Sequence, residues 1–315
     1  MPRATFLLPP AQHLAEQPLS AVTSVALGRA DRLPSGEAGR RAQLLRHVDL
    51  LPRGAWPTAA LMRQLDVGDA AHAAWLFAEP VWLRADMNGV RLMAHGERMD
   101  ITQDDADALL PALRPVFGDA GFLLDAPSPA RWYVQLPRAA KIPKFSEPAQ
   151  ALGEDLFEHT DTSPESRRWR ALDSEVQVLL HNHPHNAVRA EQGKPPVNAL
   201  WFWGGGTLPD ATVDLRSPYA QLLSDDPLAR ALGGLLKLGA PLPAHYATHA
   251  DDRLFDLAHG QQPGRLENDW LHPALDALRA GKLDLLELDF EDGGIVQLHP
   301  RQRWRVWRKP LKTLG

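Results

Sequence analysis

His181-Asn182-His183-Pro184-His185-Asn186-Ala187-Val188-Arg189, continued by Gly193, Pro196, Asn198 and Trp201-Phe202-Trp203-Gly204-Gly205-Gly206, is the densest concentration of chemistry in the chain. Just upstream, Ser163-Pro164 supplies a cap and a first-turn proline, and Trp169, Leu172, Val176, Leu179 and Leu180 recur at helical spacing. The spacing predicts a helix ending near Asn182, because Pro184 pushes its predecessor out of the helical region. Two tryptophans alternating around Phe202 predict a buried strand, and the three glycines allow a sharp turn or a close backbone approach. A strand followed by a glycine loop is a common ligand position in α/β proteins. The run is no Walker loop, since no Lys-Ser/Thr follows it, and Gly206-Thr207-Leu208-Pro209 breaks the dinucleotide-binding spacing.

Reading outward, Val81–Asp86 and Val90–Met93 alternate apolar with polar around Asn88-Gly89, which predicts a hairpin. Thr102 with Asp105 three residues later predicts a capped helix carrying Leu109, Leu110, Leu113 and Phe117, and Arg131–Leu136 predicts a further strand. Thr5–Leu8 predicts a short buried strand, and residues 31–69 read as helices broken by Pro34, Pro52 and Pro57. In the last third, Ser224-Asp225-Asp226-Pro227 opens a helix expected to run to about Leu238. A helix over Pro273–Ala280 precedes strands at Leu286–Phe290 and Ile295–Leu298, joined by Glu291-Asp292-Gly293-Gly294.

With 34 Lys and Arg against 39 Asp and Glu, the 315 residues carry a formal charge of −5, and 44% are hydrophobic. Such a chain can bury a sizeable core. It has no cysteine, which excludes disulfides, thiolate nucleophiles, iron–sulfur clusters and Cys-ligated zinc. The apolar run before Pro9-Pro10 is too short for a signal peptide, and no stretch approaches the roughly 20 apolar residues that span a bilayer. A cytoplasmic protein with no membrane partner is therefore expected. The mild acidity argues against nucleic acid as the main partner, which calls for a clustered positive face.

The string His183-Pro184-x-Asn186-x-x-Arg189-x-x-x-Gly193-x-x-Pro196-x-Asn198-x-x-Trp201-x-Trp203-Gly204-x-Gly206 resembles the signature closing the inserted domain of archaeal-type, cofactor-independent phosphoglycerate mutases. The likeness extends back to Ala78-Glu79-Pro80-Val81 and forward through Leu222-Leu223-Ser224-Asp225-Asp226. Leu179-Leu180-His181-Asn182-His183-Pro184 and Leu200–Gly206 are also similar to strings in a proteobacterial group named after the RpfE regulatory protein. The resemblance implies a reduced alkaline-phosphatase-like α/β core formed by residues 1–75 and 207–315, interrupted by an inserted α+β domain over 76–206. It also implies a phosphorylated carboxylic acid such as 3-phosphoglycerate as ligand. In that family two divalent metals are held by Asp and His, one through an Asp-Gly pair ending the first strand, where this chain has Leu7-Leu8-Pro9-Pro10. The expectation is a mutase-like regulatory protein that lacks the two-metal centre and takes no cofactor. The alternative is an active mutase or phosphatase using Mn, Co or Mg.

The resemblance puts His183, Asn186, Arg189, Asn198, Trp203, Gly204 and Gly206 at the ligand site, with no catalytic residue assigned. Arginine's planar fork suits carboxylate or phosphate, although Asn186, Arg189 and Asn198 equally suit a tie between helix end and Trp strand. His181, His185, His245 and His249 are the metal candidates, the last two four apart on what would be one helical face. A capped helix end at 181–185 and a solvated loop at 245–249 are the preferred readings. Asp289, Asp292 and His299 read as a polar turn before a carboxylate–imidazole group. Residues 301–312 hold six cations, no acid and two tryptophans, and read as an edge strand, or alternatively as a surface for a protein partner.

Overall fold

The computed structural model describes residues 2–16, 18–51, 56–87, 89–159, 161–259 and 263–314. The chain divides into two compact units, one of residues 1–53 with 210–315 and one of residues 54–209.

The first unit is built on a seven-stranded sheet. Its order is Gly239–Ala240, Gln221–Leu223, Arg253–Asp256, Arg3–Leu8, Leu285–Phe290, Ile295–Leu298, Asp31–Leu33. The first five strands are parallel and the last two antiparallel to their neighbours. Arg3–Leu8 is buried on both faces, as expected of a central parallel strand. On one face Phe6 packs edge-on against Phe255 and Trp270 beneath the helix His272–Arg279. Residues 31–50 are not purely helical. Asp31–Leu33 extends the sheet by pairing with Ile295–Gln297, and Asp49–Leu50 pairs with Leu215–Arg216, around a helix at Arg40–Leu45. Those strands take their backbone partners from remote sequence, so no local period marks them. Asp226 caps the helix Pro227–Leu235, which stops short of Leu238 as Lys237 turns left-handed.

The second unit is antiparallel. The 13-residue strand Ala74–Asp86 pairs with Arg131–Leu136 at its start, with Gly89–Ala94 at its end and with Ala199–Thr207 along most of its length. Leu123–Ser128 completes the sheet. Gly89 takes φ +149° at the hairpin, while Asn88 lies outside the described residues. Helices Gln103–Asp119 and Arg167–His181 bury Leu109, Leu113, Phe117, Trp169, Leu172, Val176 and Leu180 in one core with Trp132 and Phe202. Thr102 and Asp105 form the reciprocal cap expected from their spacing. This unit begins earlier than residue 76, because the helix Thr58–Asp66 packs on the Trp strand at Gly204. A Cβ on Gly204, whose φ is +68°, would lie 3.2 Å from the Thr58 and Phe77 side chains.

Candidate functional site

The 181–206 segment forms an internally satisfied knot. Helix Arg167–His181 ends at the cap Asn182, and a second short helix runs over His185–Glu191. Arg189 lies on it fully buried. Its Nη1 donates to Asp105 Oδ2 (2.6 Å), its Nη2 to the Met99 carbonyl (2.5 Å) and its Nε to the Pro195 carbonyl (2.9 Å). Asp105 also accepts from the Thr102 backbone N–H (2.9 Å) and hydroxyl, and lies 2.7 Å from His185 Nε2. Burial alone would push the Asp105 carboxyl up, but the hydrogen bonds from Thr102, His185 and Arg189 outweigh it and bring it down to about 2.

The neighbouring candidates are committed in the same way. Asn186 gives its amide to the carbonyls of Leu180 and Val197 and accepts from Val197 N–H. Asn198 mimics a strand neighbour, exchanging both hydrogen bonds with the Leu83 backbone. Trp203 Nε1 donates to Glu79 Oε2 (2.8 Å), and His183 Nδ1 accepts weakly from His185 N–H (3.3 Å). Burial, followed by the neighbouring His185, lowers the pKa of His183. A Cβ on Gly206 would meet Pro57 Cβ at 2.6 Å, so the glycine run allows close packing. Arg189 is fully buried and all three of its nitrogens donate within the fold, which favours the structural tie over an open anion fork.

The metal candidates stay apart. His181 is exposed, His185 is turned to Asp105, and His245 and His249 lie on no helix. His249 Nδ1 sits 2.6 Å from the Asp251 carbonyl, and burial lowers its pKa. Among the described residues no group of three or more His, Asp and Glu side chains is placed to hold a metal ion. Asp292 receives the Ala11 and Gly294 amides and His299 caps Pro300–Trp304, so neither joins Asp289.

Asp289 belongs to a different constellation. Leu7 of the central strand is in register with Asp256 on one side and Asp289 on the other, both at or near the carboxyl ends of their parallel strands. Two strand spacings put their backbones about 10 Å apart. This edge is where open parallel sheets place ligands. Asp256 is paired with Arg40 and accepts from the Ser224 hydroxyl (2.6 Å), and Asp226 stands 3.4 Å from the same guanidinium. Asp289, fully buried, accepts from Arg46 Nε (2.8 Å) and Nη2 (2.6 Å) on both oxygens. Its Oδ2 also lies 2.7 Å from His47 Nε2. His47 Nδ1 is 2.8 Å from the Tyr219 hydroxyl, which is 3.0 Å from Thr5 Oγ1. Burial would raise the Asp289 carboxyl, but Arg46 and His47 together hold it below the usual carboxylate range. Burial also pushes the Tyr219 hydroxyl up to about 12. Sequence reasoning missed Arg40, Arg46, His47, Tyr219 and Asp256. The available signal was an acid ending each of two apolar strands, Arg253–Asp256 and Leu285–Phe290.

The C-terminal segment is not an edge strand. After the 3₁₀ turn Pro300–Trp304 it runs over the helix Ala21–Arg29. The Arg305–Asp31 ion pair, reciprocal Ser24–Leu311 hydrogen bonds and a close approach of Lys309 to Gly28 hold it there. No described helix is long and apolar enough to cross a membrane.

No model of a known protein family matches the chain. A probable 2,3-bisphosphoglycerate-independent phosphoglycerate mutase of Geobacter sulfurreducens is 36% identical over 62 residues, 20% of this chain and 16% of that protein. The 2,3-bisphosphoglycerate-independent phosphoglycerate mutase of Methanosarcina mazei is 30% identical over 69 residues, 22% and 17% of the two chains. That of Methanosarcina barkeri is 32% identical over 88 residues, 27% and 22%. The matched segments thus span less than a quarter of each relative. The solved cofactor-independent phosphoglycerate mutase of Thermoplasma acidophilum aligns at TM-score 0.44 and 13% identity, over 95% of this chain and 89% of that one. The PH0037 protein of Pyrococcus horikoshii aligns at 0.45 and 12%, over 94% and 87%.

Proposed function

We propose that the chain is a phosphoglycerate-mutase-like protein with an alkaline-phosphatase-like core. Arginines take the place of divalent cations at the carboxyl edge of its core sheet. It binds a phosphorylated or carboxylated small molecule in a regulatory role, in keeping with the RpfE-type strings at 179–184 and 200–206. The observation that carries the reading is the pairing of Asp256 with Arg40 and of Asp289 with Arg46 and His47. A two-metal site needs carboxylate lone pairs open to cations about 4 Å apart. Here those lone pairs accept N–H and O–H groups, and two fixed guanidinium charges repel an incoming cation. The donor set does not fit a metal pair, and no catalytic step is derived through one. For an anionic ligand the same edge offers a donor: Arg40 Nε is buried with no hydrogen-bond partner among the described residues, on the guanidinium paired to the carboxylate that also accepts from the Ser224 hydroxyl.

The test is conversion of 3-phosphoglycerate to 2-phosphoglycerate coupled to enolase, on metal-stripped protein reloaded with Mn²⁺, Co²⁺ or Mg²⁺. We expect no turnover with any ion, while 3-phosphoglycerate added without metal raises the thermal midpoint by preferential binding to the folded chain. Metal-dependent turnover that Asp289→Asn abolishes would refute the reading in favour of an active enzyme.

A second reading, an interaction with an acidic protein surface, rests on the tail. Trp304, Val306 and Trp307 are 67%, 73% and 74% exposed among the exposed cations Arg301, Arg303, Arg308 and Lys309. Large apolar side chains clustered in solvent mark interaction sites. A Trp304→Ala/Trp307→Ala variant is expected to weaken binding to an acidic partner by at least about thirtyfold, the scale of one interface hot spot, with an unchanged melting temperature. Unchanged affinity would leave the patch without this role.

A further inference from the structure

Within the unit of residues 54–209, a half-open cleft of about 580 Å³, mouth included, is walled by the rings of Phe145, Trp169, Trp201 and Phe202 with Leu83 and Leu200. The rings are fixed against one another: Trp169 meets Phe145 and Phe202 edge-on at centroid distances of 5.6 and 5.3 Å. The carboxylate of Asp173, on the helix Arg167–His181, faces this apolar space. The one hydrogen bond it receives among the described residues comes from Gln177 Nε2 (2.8 Å), one turn along its own helix.

The other charged groups lining the cleft are already committed. Arg170 Nη1 donates to the carbonyls of Asp161 and Ser163. Asp161 accepts from the Ser163 N–H and from the hydroxyls of Ser163 and Ser166, and His159 Nε2 lies 2.7 Å from Glu154. Among the described residues no cation is paired with Asp173. Burial raises its carboxyl to about 6, so it is charged at neutral pH in apolar surroundings. A half-buried charge without a counter-ion is unfavourable, so the site favours any molecule that brings one.

We infer that this cleft is a binding site for a small organic cation, a protonated amine carried on an aromatic or alicyclic body. The ammonium group takes the lone pairs of Asp173 that Gln177 leaves open. The apolar body lies in the cleft against Leu83, Leu200 and the edges of the rings that wall it. Asp161 and Asp173 outnumber the guanidinium of Arg170 at the walls, so this ligand differs from the one proposed for the core sheet and does not depend on it.

The experiment is calorimetric titration of the full chain with phenethylamine, its neutral counterpart 2-phenylethanol and the anionic 3-phenylpropionate, with indole N–H resonances read in parallel. Phenethylamine is expected to shift the Trp169 and Trp201 signals and to bind at least about tenfold more tightly than the alcohol, a difference of about 1.4 kcal/mol. Its affinity should be flat from about pH 7 to about pH 9, where the amine keeps its proton, and fall about tenfold per pH unit below pH 6, as Asp173 takes up a proton. Asp173→Asn should lose the amine's advantage over the alcohol. If that variant does not fold, the wild-type pH profile decides. Equal binding of amine and alcohol, preference for the anion, a pH-independent affinity, or no binding by phenethylamine at millimolar concentration each overturns the proposal.

Discussion

Arg46→Ala is expected to lower the stability of the unit formed by residues 1–53 and 210–315 by about 3 kcal/mol, read as a fall in the urea midpoint at pH 7. Asp289 is fully buried and both its oxygens accept from Arg46, so truncation leaves a buried carboxylate with His47 as its remaining side-chain partner. The Arg46 side chain is 17% exposed, which places the cost at the lower end of the range for broken buried pairs. Arg46→Lys recovers only part of it, because an ammonium cannot span both carboxylate oxygens. The pH dependence has a definite sign. The folded-state pKa of Asp289 is depressed, so its contribution is present above the unfolded carboxylate pKa of about 3.9 and is lost as pH falls below it. Arg46→Ala should flatten that acid limb. A loss below about 1 kcal/mol would show that the pair behaves like an exposed one, and would remove the reason for reading Arg46 as the occupant of a cation's place.

What was legible in the sequence is what its local neighbours determine. Thr102 and Asp105 sit within one turn, and Trp169, Leu172, Val176 and Leu180 share one helix face, so cap and helix follow from spacing alone. The parallel strand at Arg3–Leu8 is recognisable because burial on both faces leaves the apolar run Phe6–Leu8, and that at Leu285–Phe290 because Leu286, Leu288 and Phe290 alternate with Glu287 and Asp289. The carboxyl-edge network has no such signature. Arg46 and Asp289 are 243 residues apart, and nothing near either residue announces the other. Asp31–Leu33 is three polar-flanked residues made into a strand by Ile295–Leu298, and the tail is drawn out of strand geometry by Ser24, Gly28 and Asp31. Arg189 stands out in the sequence for the chemistry of its fork. The carboxylate that fills that fork, however, is Asp105, which the sequence shows only as half of a helix cap.

That double use of Asp105 makes Arg189→Ala the second large effect, about 3–5 kcal/mol, because it breaks a fully buried pair and uncovers a helix terminus at once. Losing the guanidinium strips Asp105 of one partner and leaves the carbonyls of Met99 and Pro195 without donors in a buried place. Hydrogen exchange at Leu109, Leu110 and Leu113 should report the loss, since these residues pack the helix that Asp105 caps into the core of residues 54–209. Acid gives an independent handle. Asp105 titrates at about 2 in the folded chain against about 3.9 unfolded, so its share of stability, roughly 2–3 kcal/mol, is present above pH 4 and disappears as pH falls towards 2. Asp105→Asn keeps the shape of the cap but removes the charge. It should reproduce most of that loss at pH 7 and abolish the slope between pH 4 and 2. Should Arg189→Ala instead leave stability and exchange unchanged while abolishing the thermal shift caused by 3-phosphoglycerate, Arg189 would be a ligand group after all, and the clamp assigned here from its buried hydrogen bonds would be wrong.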